Sequence, residues 1–140
     1  MQPPSCTLHA TTVAIAGRAV LLCGPSGVGK SDLALRLIDR GATLVSDDQT
    51  IVTRIDSRLI ATAPSMIAGL IEVRGIGIVP MPQIDGISLA MHVTLGADVV
   101  CMPEPASHEI LGLHLPAHYV DPMTASAPIK IELLLRSIPA

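Results

Sequence analysis

Eight consecutive residues, Gly24-Pro25-Ser26-Gly27-Val28-Gly29-Lys30-Ser31, carry the densest chemical signal in the chain. They complete the pattern G-x-x-x-x-G-K-[ST] where an apolar run gives way to a helical one, the context that gives the pattern meaning. Glycines leave backbone N–H groups free to point at phosphate oxygens. The start of a helix adds its own unsatisfied N–H groups and the positive end of its dipole. In such a cradle Lys30 reaches the transferable phosphates of a nucleotide, and the Ser31 hydroxyl is offered to Mg²⁺. The competing reading, a glycine-rich turn with a solvated lysine, is the weaker one because every motif position is filled.

Sixteen residues beyond Ser31, after the next apolar run, stands the acidic pair Asp47-Asp48. A carboxylate there is placed to meet a metal beside the phosphates. Neighbouring side chains in an extended segment point oppositely, so the two acids should have different partners. One can accept the proton of an incoming hydroxyl while the other holds a histidine or a bound water. The plain alternative is a solvated acidic turn.

The elements that must position these groups are readable in outline. Thr7 to Thr12 and Val13 to Ile15 read as short strands, and Ala16-Gly17-Arg18 as a turn before the buried strand Ala19 to Cys23. The spacing of Leu33, Ala34, Leu37 and Ile38 predicts a helix over Ser31 to Arg40 with Gly41 as its stop. Thr43 to Ser46 is a short strand, so the start reads as strand, loop, helix, strand. Thr50 to Arg54 and Arg58 to Thr62 flank Asp56-Ser57 as a hairpin. Leu70 to Arg74, Ile76 to Val79, Ile87 to Leu95 and Val99 to Met102 carry strand pattern. Pro103 to Pro128 reads as loop, and Ile129 to Arg136 as a strand or a short helix.

Composition narrows the partners. A chain of 140 residues has room for one domain, residues 1–140, and buries roughly two thirds of its unfolded surface. Hydrophobic residues make up 49% and charged residues 15%, so another subunit is expected to cover some of the apolar surface. The net charge of -3, the lack of a basic block and a single aromatic, Tyr119, argue against nucleic acid. The uncharged run Leu59 to Ile71 as read contains Pro64 and is too short to span a bilayer, so no membrane is expected. The first residues lack the pattern of a signal peptide. Cys6, Cys23 and Cys101 are too scattered for a disulfide framework or a zinc knuckle, which fits a reducing cytoplasm. His108, His114 and His118 match no zinc spacing and are better placed for partner contact, and His92 reads as structural.

Gly24 to Ser31, the following Asp32 to Gly41, and Leu44-Val45-Ser46-Asp47-Asp48 resemble the HPr kinase/phosphorylase catalytic domain. Leu70 to Val79, containing Glu72-Val73-Arg74-Gly75-Ile76-Gly77, resembles that family's second signature, E-x-R-G-x-G. Leu8-His9-Ala10 resembles its L-H-G element with alanine for glycine. Taken alone, His9 would read as a packed or surface histidine, and Glu72 with Arg74 as a strand-surface ion pair. The resemblance covers roughly residues 7 to 80.

It implies an α/β fold, a P-loop domain with a mixed, strand-rich sheet related to phosphoenolpyruvate carboxykinase. It implies phosphorylation of a serine on HPr, a small phosphocarrier, by ATP with Mg²⁺, and in many members phosphorolysis in reverse. Lys30 and the loop would bind phosphate, and Ser31 and Glu72 the metal. Asp47 would be the base toward the serine, His9 would sit against Asp47 and Asp48, and Arg74 would steady the phosphoryl group. Full-length members form hexamers, which implies a homo-oligomer here. The chain lacks the N-terminal domain, the C-terminal helices and the G-R-N element of longer members, and so resembles the short alphaproteobacterial form. Two other functions stay open: a nucleotide-sensing domain that transfers nothing, and a P-loop kinase for a small metabolite.

Overall fold

A computed structural model of the chain describes residues 2–97 and 104–140. The central strand is β3 (Arg18–Cys23), whose Ala19, Val20, Leu21 and Leu22 are wholly buried. It is covered on both faces: Val20 and Leu22 enter one apolar cluster, Ala19 and Leu21 a second. Burial on both faces is why this stretch shows no polar alternation.

Around it lie β1 (Ser5–Leu8), β2 (Ala10–Ile15), β4 (Thr43–Ser46), β5 (Thr50–Ile55), β6 (Arg58–Thr62) and β9 (Ile87–Leu95), in the order β1-β5-β6-β9-β3-β2-β4. β11 (Leu113–Val120) also pairs with β9, and β10 (Ala106–Ile110) with β11. Among the pairs of described strands, only β3–β9 and β9–β11 are parallel. β7 (Leu70–Val73) and β8 (Gly77–Pro80) form a separate hairpin.

Two irregularities set which side chains face which core. In β9 the register passes from Ala19↔Leu89 to Val20↔Met91, so Ala90 is an extra residue and the strand changes phase. Leu89 therefore packs in the second cluster, whereas Met91, Val93 and Leu95 pack in the first. The edge of β9 opposite β3 is divided: Ile87 and Ser88 pair with β6, and His92 to Leu95 with β11. In β4 the pairing passes from Val13↔Leu44 to Thr12↔Ser46, leaving Val45 extra. That shift turns the residue after Ser46 toward the face of Thr11.

The first cluster is closed by α1 (Lys30–Asp39), through Leu33, Ala34 and Leu37, and by α2 (Ala127–Arg136), through Ala127, Ile131 and Leu135. Arg18 donates to the carbonyls of Leu135 (3.0 Å) and Ile138 (2.8 Å) where α2 ends, and the Leu135 carbonyl also accepts the Ile138 N–H at 3.1 Å. Arg40 and Glu132 join the two helices at 2.7 Å.

Several expectations need correction. A βαβ start of a P-loop, phosphoenolpyruvate carboxykinase-like domain is not what forms. β2 stands between β3 and β4 and is antiparallel to both, so the strands flanking α1 are not neighbours. What forms is a mixed, strand-rich α/β sheet. The span Thr7 to Thr12 is broken at His9, with β1 pairing β5 and β2 pairing β3. The stretch read as loop from Pro103 to Pro128 contains the hairpin β10–β11, which turns at Leu111 and Gly112 with φ of 50° and 82°. Both central residues of that turn need positive φ, which glycine adopts without strain. Pro116 is tolerated because it lies outside the β9 register. Ile129 to Arg136 is helical. Val99 to Met102, with Cys101, lie outside the described residues. Among those described, Cys6 and Cys23 are free thiols, and no helix is long and apolar enough to cross a membrane.

The β10–β11 hairpin is tied back to the sheet by an imidazole stack. His92 of β9 and His108 of β10 lie 3.9 Å apart between ring centroids, stacked across the intervening β11. His92 is 7% exposed, and its Nδ1 has no hydrogen-bond partner among the described residues. Burial first, and then the His108 charge, pull its pKa from 6.5 to about 4. A histidine held below its unfolded pKa favours folding above 6.5, and that contribution is lost as pH falls from 6.5 toward 4. Urea unfolding at pH 7 and pH 4.5 is expected to show His92→Leu losing less stability on acidification than wild type, by about 2–3 kcal/mol.

Candidate active site

The loop from Gly24 to Gly29 joins β3 to α1. Gly24 has φ 152°, and a Cβ placed on it would meet Val28 Cγ1 at 2.9 Å and the Leu95 carbonyl at 3.3 Å. Only glycine fits there. Val28 N–H closes the loop onto the Pro25 carbonyl at 3.2 Å. Lys30, 6% exposed, turns its ammonium into the loop and donates to the carbonyls of Gly24 (2.8 Å) and Pro25 (3.1 Å). Pro25, Ser26 and Gly27 form the exposed rim.

Asp47 is the junction of the site. Its Oδ1 accepts from Ser31 Oγ at 2.6 Å and Thr11 Oγ1 at 3.0 Å, and its Oδ2 accepts from the Glu72 N–H at 2.9 Å. One carboxylate, 8% exposed, thus ties the start of α1 to β2 and β7. Asp48 follows in the left-handed region, φ 68°, which aspartate tolerates better than most residues. Its N–H donates to Thr11 Oγ1 at 3.1 Å, and its side chain points away from Asp47 to His9 Nε2, 2.7 Å away. Both partners of that pair are about half exposed, at 49% and 61%.

The structure therefore brings Lys30, Ser31, Asp47, Asp48 and His9 together around one loop. Glu72 joins through its backbone, while its side chain is exposed. Arg74 stands exposed at the β7–β8 turn, with no hydrogen bond or ion pair among the described residues. Thr11 was not singled out from the sequence. It lies two residues after His9, and the two-residue strand period was the available signal. The Cys23 thiol, just before the loop, is pushed up to about 11 by burial, which the Lys30 charge only partly offsets. It is unreactive packing. Among the described residues no group of three or more His, Cys, Asp or Glu forms a metal cluster, including around His108, His114 and His118.

A glycine-rich loop with a buried lysine beside two carboxylates is an arrangement that phosphoryl-transfer domains use. The family can be stated more closely. Residues 3–113 match the family described as HPr Serine kinase C-terminal domain, and the chain belongs to it. The HPr kinase/phosphorylase of Clostridium tetani is 40% identical over 94 residues, covering 66% of this chain and 31% of that protein. That of Caldicellulosiruptor bescii is 37% identical over 115 residues, covering 79% and 37%. The chain thus spans about a third of the length of these curated relatives.

Among solved structures, the Hpr(Ser) kinase/phosphatase from Coxiella burnetii superposes with a TM-score of 0.82 at 30% identity. That likeness covers 94% of this chain and 95% of the other. This is the fold that replaces the P-loop, carboxykinase-like assignment. These relatives, from Clostridium, Caldicellulosiruptor and Coxiella, do not support the alphaproteobacterial origin that the sequence reading implied.

Thr11 serves both acids from a wholly buried position. Thr11→Val keeps its shape and removes its hydroxyl, leaving the Asp48 N–H and one Asp47 contact unmade. The expected cost is about 1–3 kcal/mol in denaturant unfolding. A variant as stable as wild type would show that the Asp47 junction does not hold β2 to β4.

Proposed function

We propose that this chain transfers the terminal phosphoryl group of ATP, with Mg²⁺, to a serine hydroxyl of an HPr-type phosphocarrier. The reading includes the reverse phosphorolysis, in which inorganic phosphate takes the phosphoryl group from phosphoserine and pyrophosphate leaves. The observation that carries it is the bonding of Asp47 to Ser31 of the loop, beside the Asp48–His9 pair, in a chain of this family.

The donor set fits the metal. The Ser31 hydroxyl and the carboxylates of Asp47 and Glu72 are hard oxygen ligands of the kind Mg²⁺ takes. Ser31 and Glu72 are the residues proposed to hold it. When bound, the ion neutralises charge on the oxygens of the transferring phosphate. Lys30 and the amides of Gly24 to Gly29 hold the phosphate chain and supply fixed positive charge.

Asp47 is the proposed base toward the serine, and the acid toward the phosphoserine oxygen in reverse. Its Oδ2 takes a single donor, the Glu72 N–H, and so keeps a lone pair for the incoming hydroxyl. Asp48, braced by His9, holds the rim on the solvent side. Arg74 is free to reach the phosphoryl group. Beyond it the hairpin exposes Ile76 (77%) and Ile78 (63%), an apolar edge next to the acids on which the carrier is proposed to rest. Assembly as a homo-oligomer, up to a hexamer, and a cytoplasmic setting belong to the same reading.

Transfer of γ-labelled phosphate from ATP to purified HPr-type proteins, with Mg²⁺, tests it. Wild type is expected to label a serine, and Asp47→Asn to lower the rate by about 10²-fold or more. Nucleotide binding without label on any carrier would sink the kinase and leave a sensing domain.

A further inference from the structure

The three strands that run parallel, β3, β9 and β11, end at the same edge of the sheet, and the chain leaving each one borders the glycine-rich loop. The Leu95 carbonyl at the end of β9 abuts Gly24, and Gly96 N–H donates to the Val120 carbonyl at 3.1 Å. Pro122, just past β11, lies 3.7 Å from where a Gly29 Cβ would stand. Ligands of such sheets gather outside the carboxyl ends of parallel strands.

The turn after β11 is held in place. Arg36 of α1 donates through Nη2 to the Pro122 carbonyl and through Nη1 to the Thr124 carbonyl at 3.2 Å, while its Nε is fixed by Asp32 at 3.1 Å. Within the turn, Met123 N–H donates to Asp121 Oδ1 at 2.9 Å and Thr124 Oγ1 to the Asp121 carbonyl at 3.1 Å. Pro122 is buried by this packing, yet Met123 is 82% exposed.

Sheet order gives the turn a role. The acids and His9 lie on the β2 and β4 flank of β3, and the turn on the β9 and β11 flank. A phosphoryl group in flight must face the acids, so the other end of the nucleotide leaves the loop on the opposite flank. We infer that the turn Asp121 to Thr124, latched to α1 by Arg36, is the wall on which the nucleoside rests. Met123 is its contact to the base, and Arg36 is a positioning residue. This rests on the nucleotide-binding reading above. The chain has a single aromatic, Tyr119, and a flexible, polarisable thioether packs well on an aromatic face.

Calorimetric binding of ATP and of inorganic tripolyphosphate separates wall from loop, because tripolyphosphate has no nucleoside. Met123→Ala and Arg36→Ala are each expected to weaken ATP about three- to tenfold and to leave tripolyphosphate within about twofold. Arg36→Lys, which keeps one donor group near the two carbonyls, should recover part of the loss. Met123 is exposed, so its variant tests the wall without a folding penalty. ATP binding unchanged in Met123→Ala, or both ligands weakened in parallel, would overturn the wall. Wild type binding tripolyphosphate as tightly as ATP would overturn it too and leave the loop standing. Wild type binding neither would overturn the nucleotide reading itself.

Discussion

A nearly buried carboxylate is costly to keep unless donors surround it, and Asp47 has three: two hydroxyls and one backbone amide. Those donors come from α1, β2 and β7, elements with no shared strand pairing among them. The charge that one oxygen pair must satisfy therefore fixes how a helix, a sheet and a detached hairpin sit together. The glycine-rich loop, the acidic pair and the second signature are held in one place by this group. The rest of the sheet supplies the rigid floor beneath it.

That floor does its aiming through irregularity. Without Val45 as an extra residue in β4, the strand would keep its phase, and Asp47 would face the second core instead of Ser31. Asp48 then uses a left-handed backbone to turn the opposite way. Adjacent acids reach unlike partners, Ser31 and His9, because a bulge and a positive φ act one after the other.

Local chemistry was legible, and spatial assembly was less so. The glycine-rich loop, α1 with its Gly41 stop, and the hairpin over residues 50 to 62 follow from spacing and turn residues within a few positions. The β10–β11 hairpin was missed because four of the five residues of β10 are exposed, so burial imposed no alternation, and Pro116 disguised β11. Strand order was out of reach: that β2 separates β3 from β4 depends on pairings far apart in the chain. This is why the strand-rich mixed sheet was foreseen while the carboxykinase-like arrangement was not what formed. Within the site, the motif pointed to Lys30 and Ser31 directly. Thr11 had no motif, only its position on the face of His9. The wall after β11 fell in a stretch read as loop, and Arg36 carried no signal of its own.

Ala90 has a consequence for how β9 can pair. Because β9 belongs to one core before that residue and to the other after it, pairing the same nine residues without the extra position would be felt as an inversion rather than a slip. Every side chain from Met91 to Leu95 would exchange faces at once: Met91, Val93 and Leu95 would leave the helices, and His92 would turn inward beneath them. Loops elsewhere can grow or shrink with local effect only. Along β9 the count of residues is itself structural information, as fixed as the identity of any side chain it carries.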